Sequence, residues 1–485
     1  MKKYIIIISS VLFTLSFISC KDFLDLEPIS NNIWVQNESS DSVVYKTADE
    51  VETALSGVYA DFRNEYFELD YYVNGDAQSD DAYAGADNPM NFQIDDYNID
   101  ALNTNVSRDW RYLYGTIGKA NIVINNTMSC PDPALTLARK NEIVGEASYI
   151  RAFCYFQAVQ LWGDVPLQLT EVKTVSADLL PEIYPLLFPA RAPMDSVYMQ
   201  IIKDFEYALA YVKPTAPHNG FVTTGAVNAM LAKVYATIEP HDYNKVAQYC
   251  DAVINGGYSL LPDYDSLWGT SENTVESIFE INYEGTSTNA NWGASMFRGS
   301  DWKKFNIPSN DLVKAFDDEG DTIRKNSSIL FLEAGFPDPH YPINNYPFVN
   351  KWRRYSGPSP QNYIFLRLAD IILLKAEASN ELGDVQGAAD LVNQIRSRVL
   401  LPNTTASDQA SMRLAIEKER RLELAFEGHR WYDLKRTGRA IEVVNNAIDE
   451  TGQKLGYNLT ENRLVWPIPQ AELDRNNSLV QNPGY

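Results

Sequence analysis

The stretch "LRLADIILLKAEASNELGDVQGAADLVNQIRSRV" (366–399) decides how the rest of the chain is read. Apolar residues recur at helical spacing on either side of Leu382-Gly383, so the stretch is two helices joined by a short turn. Small Ala376, Ala388 and Ala389 fall where the two helices must cross closely, and Ile395 continues the second apolar face. A hairpin of this kind cannot bury its faces alone and needs neighbours to stack on.

A second copy follows the same plan. In "AVNAMLAKVYATIEPHDYNKVAQYCDAVINGGYSL" (226–260) the turn is "EPHDY", with Ala229, Ala232 and Ala247 at the crossing points. Both copies resemble the tetratricopeptide pattern. Elsewhere, Thr47 and Glu50 form a capping box ahead of Val51, Leu55, Val58, Tyr59 and Phe62. Trp110, Tyr114, Ile117 and Asn121 share a helical face from about Arg108. A long helix spans about Lys140 to Trp162 and stops at Gly163, after which Val165-Pro166 reads as extended. Further helices are expected near 194–212, 223–238, 243–255, 309–317, 362–382, 384–400 and 408–427. The fold class is therefore mainly α, a tetratricopeptide-like helical-hairpin scaffold.

Stretches 64–106, 163–192, 257–308 and 319–361 lack periodicity and are rich in Asn, Asp, Gly, Pro and aromatics. Loops this long are functional or belong to a second, irregular lobe. "ESIFEINY" (276–283) and "PFVNKW" (347–352) read as short strands within it.

At the N-terminus, Lys2 and Lys3 precede an apolar run from Tyr4 to Ser19 that ends on Cys20. The run is shorter than the ~20 apolar residues a membrane-spanning helix needs. It matches an export signal. Ser16 and Ser19 before Cys20 resemble the lipoprotein cleavage pattern, although Phe17 stands where an aliphatic residue is usual. The expectation is a cleaved signal over 1–19 and a lipid anchor on Cys20. The alternative is an ordinary signal followed by an unmodified cysteine.

Once residues 1–19 are removed, 39 basic residues face 64 acidic ones, a balance of −25. That surface excludes nucleic acid, whose binding requires phosphates to be neutralised. Cys130, Cys154 and Cys250 form neither a disulfide framework nor a zinc pattern. Cys154 is expected in the core, with Trp110 and Trp268. His218, His241, His340 and His429 show no H-E-x-x-H, and no G-x-S-x-G occurs. "GTIGK" (115–119) has the wrong spacing for a phosphate loop. "DDEGD" (317–321) reads as a helix end; an incidental calcium site in the Asp-rich loops is the alternative, and no cofactor is expected. In "EKERRLELAFEGHRWYDLKR" (417–436), glutamates alternate with Arg420, Arg421 and Arg430 as pairs that tie helices together, with His429 structural rather than catalytic.

"AIEKERRLELAFEGHRWYDLKRTGRA" (415–440), "RLVWPIPQAEL" (463–473) and "NNSLVQNPGY" (476–485), in that order, strongly resemble the RagB/SusD family of outer-membrane nutrient-binding lipoproteins of Bacteroidetes. "RDWRYLYGTIGKANIVIN" (108–125), "GEASYIRAFCYFQAVQLWGDVPL" (145–167) and "LRLADIILLKAEASNELGD" (366–384) extend the likeness over nearly the whole chain. The acidic start after Cys20 is similar to the family's surface-export signal. The resemblance implies an N-terminal region over 20–265 and a C-terminal region over 266–485. It also implies a non-catalytic, lipid-anchored surface protein that captures an oligosaccharide or polysaccharide. The ligand passes to a TonB-dependent, SusC-like transporter beneath it. A peptide ligand and a surface glycoside hydrolase are the alternatives.

The aromatics in non-periodic loops are the candidate ligand contacts, because sugar C–H faces stack on rings while hydroxyls need planar polar partners. "NANWGASMFRGSDWKKF" (289–305) supplies Trp292, Phe297 and Trp302 beside Asn291, Arg298 and Asp301. "ELDYYVNGDAQSDDAYAGADNPMNF" (68–92) supplies Tyr71, Tyr72 and Tyr83 beside Asp80 and Asp81.

Overall fold

The computed structural model describes residues 44–85, 87–172, 178–299, 302, 304–353 and 357–485. The signal segment, Cys20 and Asp301 lie outside the described residues.

Ten helices of ten or more residues form the scaffold among the described residues. They are α1 (Ala48–Ala60), α2 (Thr104–Asn126), α3 (Leu137–Trp162), α4 (Met194–Tyr211), α5 (Thr224–Tyr235), α6 (Tyr243–Ile254), α7 (Asn310–Glu319), α8 (Leu368–Glu381), α9 (Val385–Arg398) and α10 (Gln409–Glu423). The capping box of α1 is present: Thr47 Oγ1 accepts from the Glu50 N–H, and the Glu50 carboxylate accepts from the Thr47 N–H. Its stripe of Val51, Leu55 and Val58 is buried. Helix α3 is buried on every side from Ile143 to Trp162, which makes it the central rod of the N-terminal half. It ends where Gly163 turns to φ +73°.

Apart from α7, which packs on α10, the scaffold helices pack in succession: α1 on α2, α2 on α3, α3 on α4, α4 on α5, α5 on α6, α6 on α8, α8 on α9 and on α10. The two hairpins read from sequence are α5–α6 and α8–α9. Ala229, Ala232, Ala376 and Ala388 are fully buried at their crossings. Between α8 and α9, Gly383 takes φ +92° and the Asp384 carboxylate accepts from the Gly387 N–H at 2.9 Å. Cys154, Trp110 and Trp268 are buried as expected. The "GTIGK" residues sit inside α2.

The second lobe carries short strands in four antiparallel pairs. They are β1 (Ala82–Ala84), β2 (Val165–Pro166), β3 (Arg191–Ala192), β4 (Ser277–Ile281), β5 (Asn306–Pro308), β6 (Ile329–Leu332), β7 (Tyr346–Val349) and β8 (Tyr363–Arg367). The pairings are β1 with β5, β2 with β3, β4 with β8, and β6 with β7. Strand β8 covers residues whose sequence reads as the start of a helix. Its aromatic and β-branched "YIF" favours a strand, and α8 begins only at Leu368.

Stretch 64–106 also differs from its reading as loop. A wide helical turn (Tyr66–Asp70) runs into the helix Tyr71–Asp76, and every residue of both is buried. A segment enclosed on all sides has no polar face, so it leaves no amphipathic stripe to read. "DDEGD" is a helix end: Gly320 takes φ +71° after α7, and Asp321 caps the helix Thr322–Ser328 through the Arg324 N–H. Asp317 pairs with Lys325 and Asp318 with Lys314.

The lobe is tied to the scaffold by a buried ionic cluster. From β8, Arg367 reaches Glu427 at 2.7 Å, Glu423 at 2.6 Å and Glu276 at 3.1 Å. Arg324 reaches Glu419 at 2.7 Å and Glu423 at 3.1 Å, Lys351 reaches Glu427 at 2.6 Å, and Arg398 holds Glu276 at 2.8 Å. The arginine–carboxylate motif expected from the sequence is thus built, and its partners come from distant parts of the chain. His429 is buried within it, 3.3 Å from the Lys233 ammonium. Burial first, and that ammonium second, push its imidazole down to about 4, so it is neutral.

Candidate functional site

The segment 289–305 folds as a short helix, Gly293–Arg298, followed by a return that places the Phe305 N–H on the Met296 carbonyl. Trp292 stands at the N-terminus of that helix with 36% of its surface exposed. Tryptophan is usually well covered, and this ring is held at the surface from below.

Three elements hold it. The Glu68 carboxylate accepts from the Trp292 N–H at 2.6 Å, and Tyr363 donates its hydroxyl to the Glu68 carbonyl. Asn291 donates to the Gln361 carbonyl at 2.7 Å, pairs its own N–H with the Ser359 carbonyl and accepts from Ala294. Gly293 closes against these groups: a Cβ there would meet the Tyr363 hydroxyl at 1.8 Å and the Glu68 carbonyl at 2.7 Å. The backbone that presents Trp292 therefore cannot shift without breaking buried contacts.

Trp302 is half-buried, edge-on to Phe305 with ring centroids 5.6 Å apart and the Lys304 ammonium 5.3 Å from its ring. Arg298, also half-buried, donates to the Asn350 side chain at 3.1 Å. These three side chains keep surface that a ligand could touch.

The remaining candidates among the described residues do not, and this corrects the reading of them as surface contacts. Phe297 is fully buried and stacks on Trp352 at 5.7 Å. Tyr72 lies among Tyr71, Trp352 and Tyr363, with centroids 5.0–5.2 Å away. Tyr83 stacks on His340 at 3.9 Å and its hydroxyl accepts from Asn310. Asn291 is buried with its amide engaged in the loop itself. Asp80 is held by Arg430 at 2.7 Å and Asp81 by Arg421 at 2.6 Å. Burial alone would raise Asp80, but Arg421 and Arg430 overcome it and hold the carboxyl down at about 2. Hydrophobic packing and ion pairing claim these residues because their segment is interior.

Sequence reasoning missed Glu68 and Tyr363, which hold the backbone that carries the exposed ring, and Trp352, which packs on Tyr363 with ring centroids 4.2 Å apart. Glu68 is one of two carboxylates in the aromatic run "YFELDYY", and its partner lies more than two hundred positions away. Among the described residues, no three His, Cys, Asp or Glu side chains gather as a metal site, and no helix is long and apolar enough to cross a membrane.

The architecture can be set beside known proteins. The SusD family pattern matches residues 296–485, and the pattern described as "Starch-binding associating with outer membrane" matches residues 22–236. The chain belongs to the SusD/RagB family. A SusD-like protein of Formosa agariphila is 28% identical over the whole of both chains. One from Bacteroides ovatus is 26% identical over 90% of this chain and 82% of its own. Among solved structures, a laminarin-binding SusD-like protein is 27% identical, with TM-score 0.73 over 91% of this chain and 100% of the other. A SusD superfamily protein of Bacteroides vulgatus shares the fold at 21% identity, with TM-score 0.75 over 90% of this chain and 99% of the other. The mainly helical scaffold with a short-stranded lobe is thus the SusD fold.

Proposed function

We propose that this SusD-family chain is a lipid-anchored, surface-exposed glycan-binding protein. It captures an oligosaccharide or polysaccharide and delivers it to a TonB-dependent, SusC-like transporter without covalent chemistry. The observation that supports glycan capture is Trp292, an exposed ring on an immobilised backbone. Trp302 and Arg298, on the same short segment, supply a second ring and a planar donor. A fixed ring loses little freedom on binding, so its contact with a sugar face is retained as affinity. The solved relative's laminarin binding makes a β-glucan the first ligand to try.

The test is calorimetric titration of the mature protein with laminarin and a panel of plant, host and microbial polysaccharides, with reducing ends assayed in parallel. Saturable binding without new reducing ends supports capture, and release of reducing ends overturns it. Trp292→Ala should weaken the bound glycan about tenfold or more, as truncation of an anchoring aromatic does. Unchanged affinity in both Trp292→Ala and Trp302→Ala would remove the site from this segment.

A further inference from the structure

A second cleft, of about 490 Å³, opens at the far end of the scaffold, where the C-terminus of α8, the start of α6, α10 and the helix Arg430–Arg436 meet. Helix α8 has 14 residues, so at ~1.5 Å per residue its two ends lie ~21 Å apart. Its first residue follows β8, whose Tyr363 supports Trp292, whereas the cleft is lined by Glu377 and Glu381 at the other end. The cleft is therefore separate from the Trp292 surface.

Its chemistry is asymmetric. The carboxylates that line it are already satisfied. Both oxygens of Glu381 accept from Arg413 at 2.6 Å, and both oxygens of Glu377 accept from Arg436 at 2.5 and 2.7 Å. Of the five arginines that line it, Arg420 and Arg436 spend every guanidinium nitrogen on Asp370, Asp433 and Glu377, and the other three do not. Arg413 uses Nε and Nη2 on Glu381, which leaves Nη1 without a described partner. Arg439 uses Nε on Glu417 and Nη1 on Glu442, which leaves Nη2. Arg430, only 6% exposed, uses Nε and Nη2 on Asp80 and leaves Nη1.

Three guanidinium groups thus line one cleft with unused donors, each fixed in orientation by its own carboxylate. Such donors select a planar, two-oxygen acceptor. They do so on a chain whose formal charge is −23, where anions are otherwise repelled. The volume is in the range of small-molecule pockets, ~300–1,000 Å³, and exceeds what a lone inorganic anion fills. Apolar surface is present beside the donors: Tyr243 and His241 stand edge-to-face at 5.4 Å, and Leu414 is 57% exposed on the rim. We propose that this cleft is a second ligand site, for a small acidic saccharide whose carboxylate lies on Arg413, Arg430 and Arg439 and whose ring packs on Tyr243 and Leu414.

The proposal is independent of the reading of Trp292 and is tested separately. Digalacturonate is titrated into the mature protein, with a neutral disaccharide and an acidic hexapeptide as comparison ligands. Saturable digalacturonate binding is expected, and it should weaken as salt is raised. Arg413→Gln/Arg439→Gln, at one exposed and one half-buried side chain, should weaken it about tenfold or more and leave laminarin titration as in the parent. Trp292→Ala should leave digalacturonate binding as in the parent. Leu414→Asp, an exposed change that adds a like charge at the rim, should weaken it independently of any arginine. The proposal fails if digalacturonate shows no saturable binding at millimolar concentration. It also fails if the neutral disaccharide or the hexapeptide binds as well, or if the arginine variant binds as the parent does.

Discussion

Glu68 accepts a hydrogen bond from the Trp292 backbone at 2.6 Å across 224 positions of chain, and it joins the N-terminal half to the loop that displays the exposed ring. Removing the acceptor strands a part-buried N–H, which costs up to about 1–3 kcal/mol. Glu68→Ala should therefore lower the denaturant midpoint and weaken glycan binding several-fold, although residue 68 is 2% exposed and touches no ligand. Glu68→Gln keeps an acceptor oxygen and should restore most of the affinity. Equal losses in both variants would mean that the contact does not position Trp292.

The same residue gives a pH signature. Burial pushes the Glu68 carboxyl up to about 8, against the opposing N–H groups of Trp292 and Gly293. An unfolded glutamate titrates near ~4.3. Between these values the folded chain keeps a proton that the unfolded chain has lost. This group's contribution to stability is therefore full below the unfolded value and falls as pH rises toward about 8. Glu68→Gln does not titrate. Denaturant melts at several pH values should show the variant gaining on the parent as pH rises through that window. A pH-independent difference would mean that Glu68 is ionised throughout.

Tyr72 separates core from site. Its ring is 1% exposed and lies 5.0 Å from both Trp352 and Tyr363. Tyr72→Ala leaves a cavity and should cost about 3–5 kcal/mol of stability. The fraction that remains folded should bind glycan as the parent does. A binding loss without a stability loss would move Tyr72 to the ligand surface.

The scaffold was legible because its signals are local. Thr47 and Glu50, Gly163, and the alanines of the two hairpins act over three to five residues, and each did what its spacing dictates. The candidate site was legible only in part. Composition marks aromatic-rich loops but not exposure, so Trp292 and Phe297, five positions apart, looked alike, although one is at the surface and the other fully buried. Likewise Asp80 and Asp81 looked available because Arg421 and Arg430 lie some 340 residues downstream. Pairings at that separation leave no local pattern.

Cys20 carries the proposed anchor. Each buried CH₂ of an attached chain contributes ~0.8 kcal/mol, and more than one chain is needed for stable attachment. Cys20→Ala should abolish incorporation of labelled palmitate and move the protein from the membrane to the soluble fraction. Unlabelled protein that still sediments with membranes would argue for attachment by other means.

The Glu423 carboxylate is the centre of the buried cluster, with Arg324 at 3.1 Å and Arg367 at 2.6 Å. Burial opposes its charge, but Arg398, Arg367 and Arg324 outweigh burial and hold it far below the usual glutamate range. Arg420 and Arg436 do the same for Asp433. For such groups the stabilising contribution is present above the unfolded value, ~4, and disappears as pH falls toward the depressed folded value. The lobe should therefore detach in acid before the helical stack melts, because α2 and α3 are held largely by apolar contacts. Glu423→Ala leaves Arg367 and Arg324 short of a partner in the interior, and removing one member of a buried pair costs about 3–5 kcal/mol. Tryptophan fluorescence, taken as the difference between each protein and its Trp268→Phe counterpart so that the tryptophans of the helices cancel, reports the lobe through Trp268, which lies 4.7 Å from the Lys351 ammonium, and far-ultraviolet circular dichroism reports the helices. In the parent the fluorescence transition should come at higher pH than the helical one. In Glu423→Ala it should move higher still. Coincident transitions in both proteins would show that the cluster does not set how the lobe is fastened.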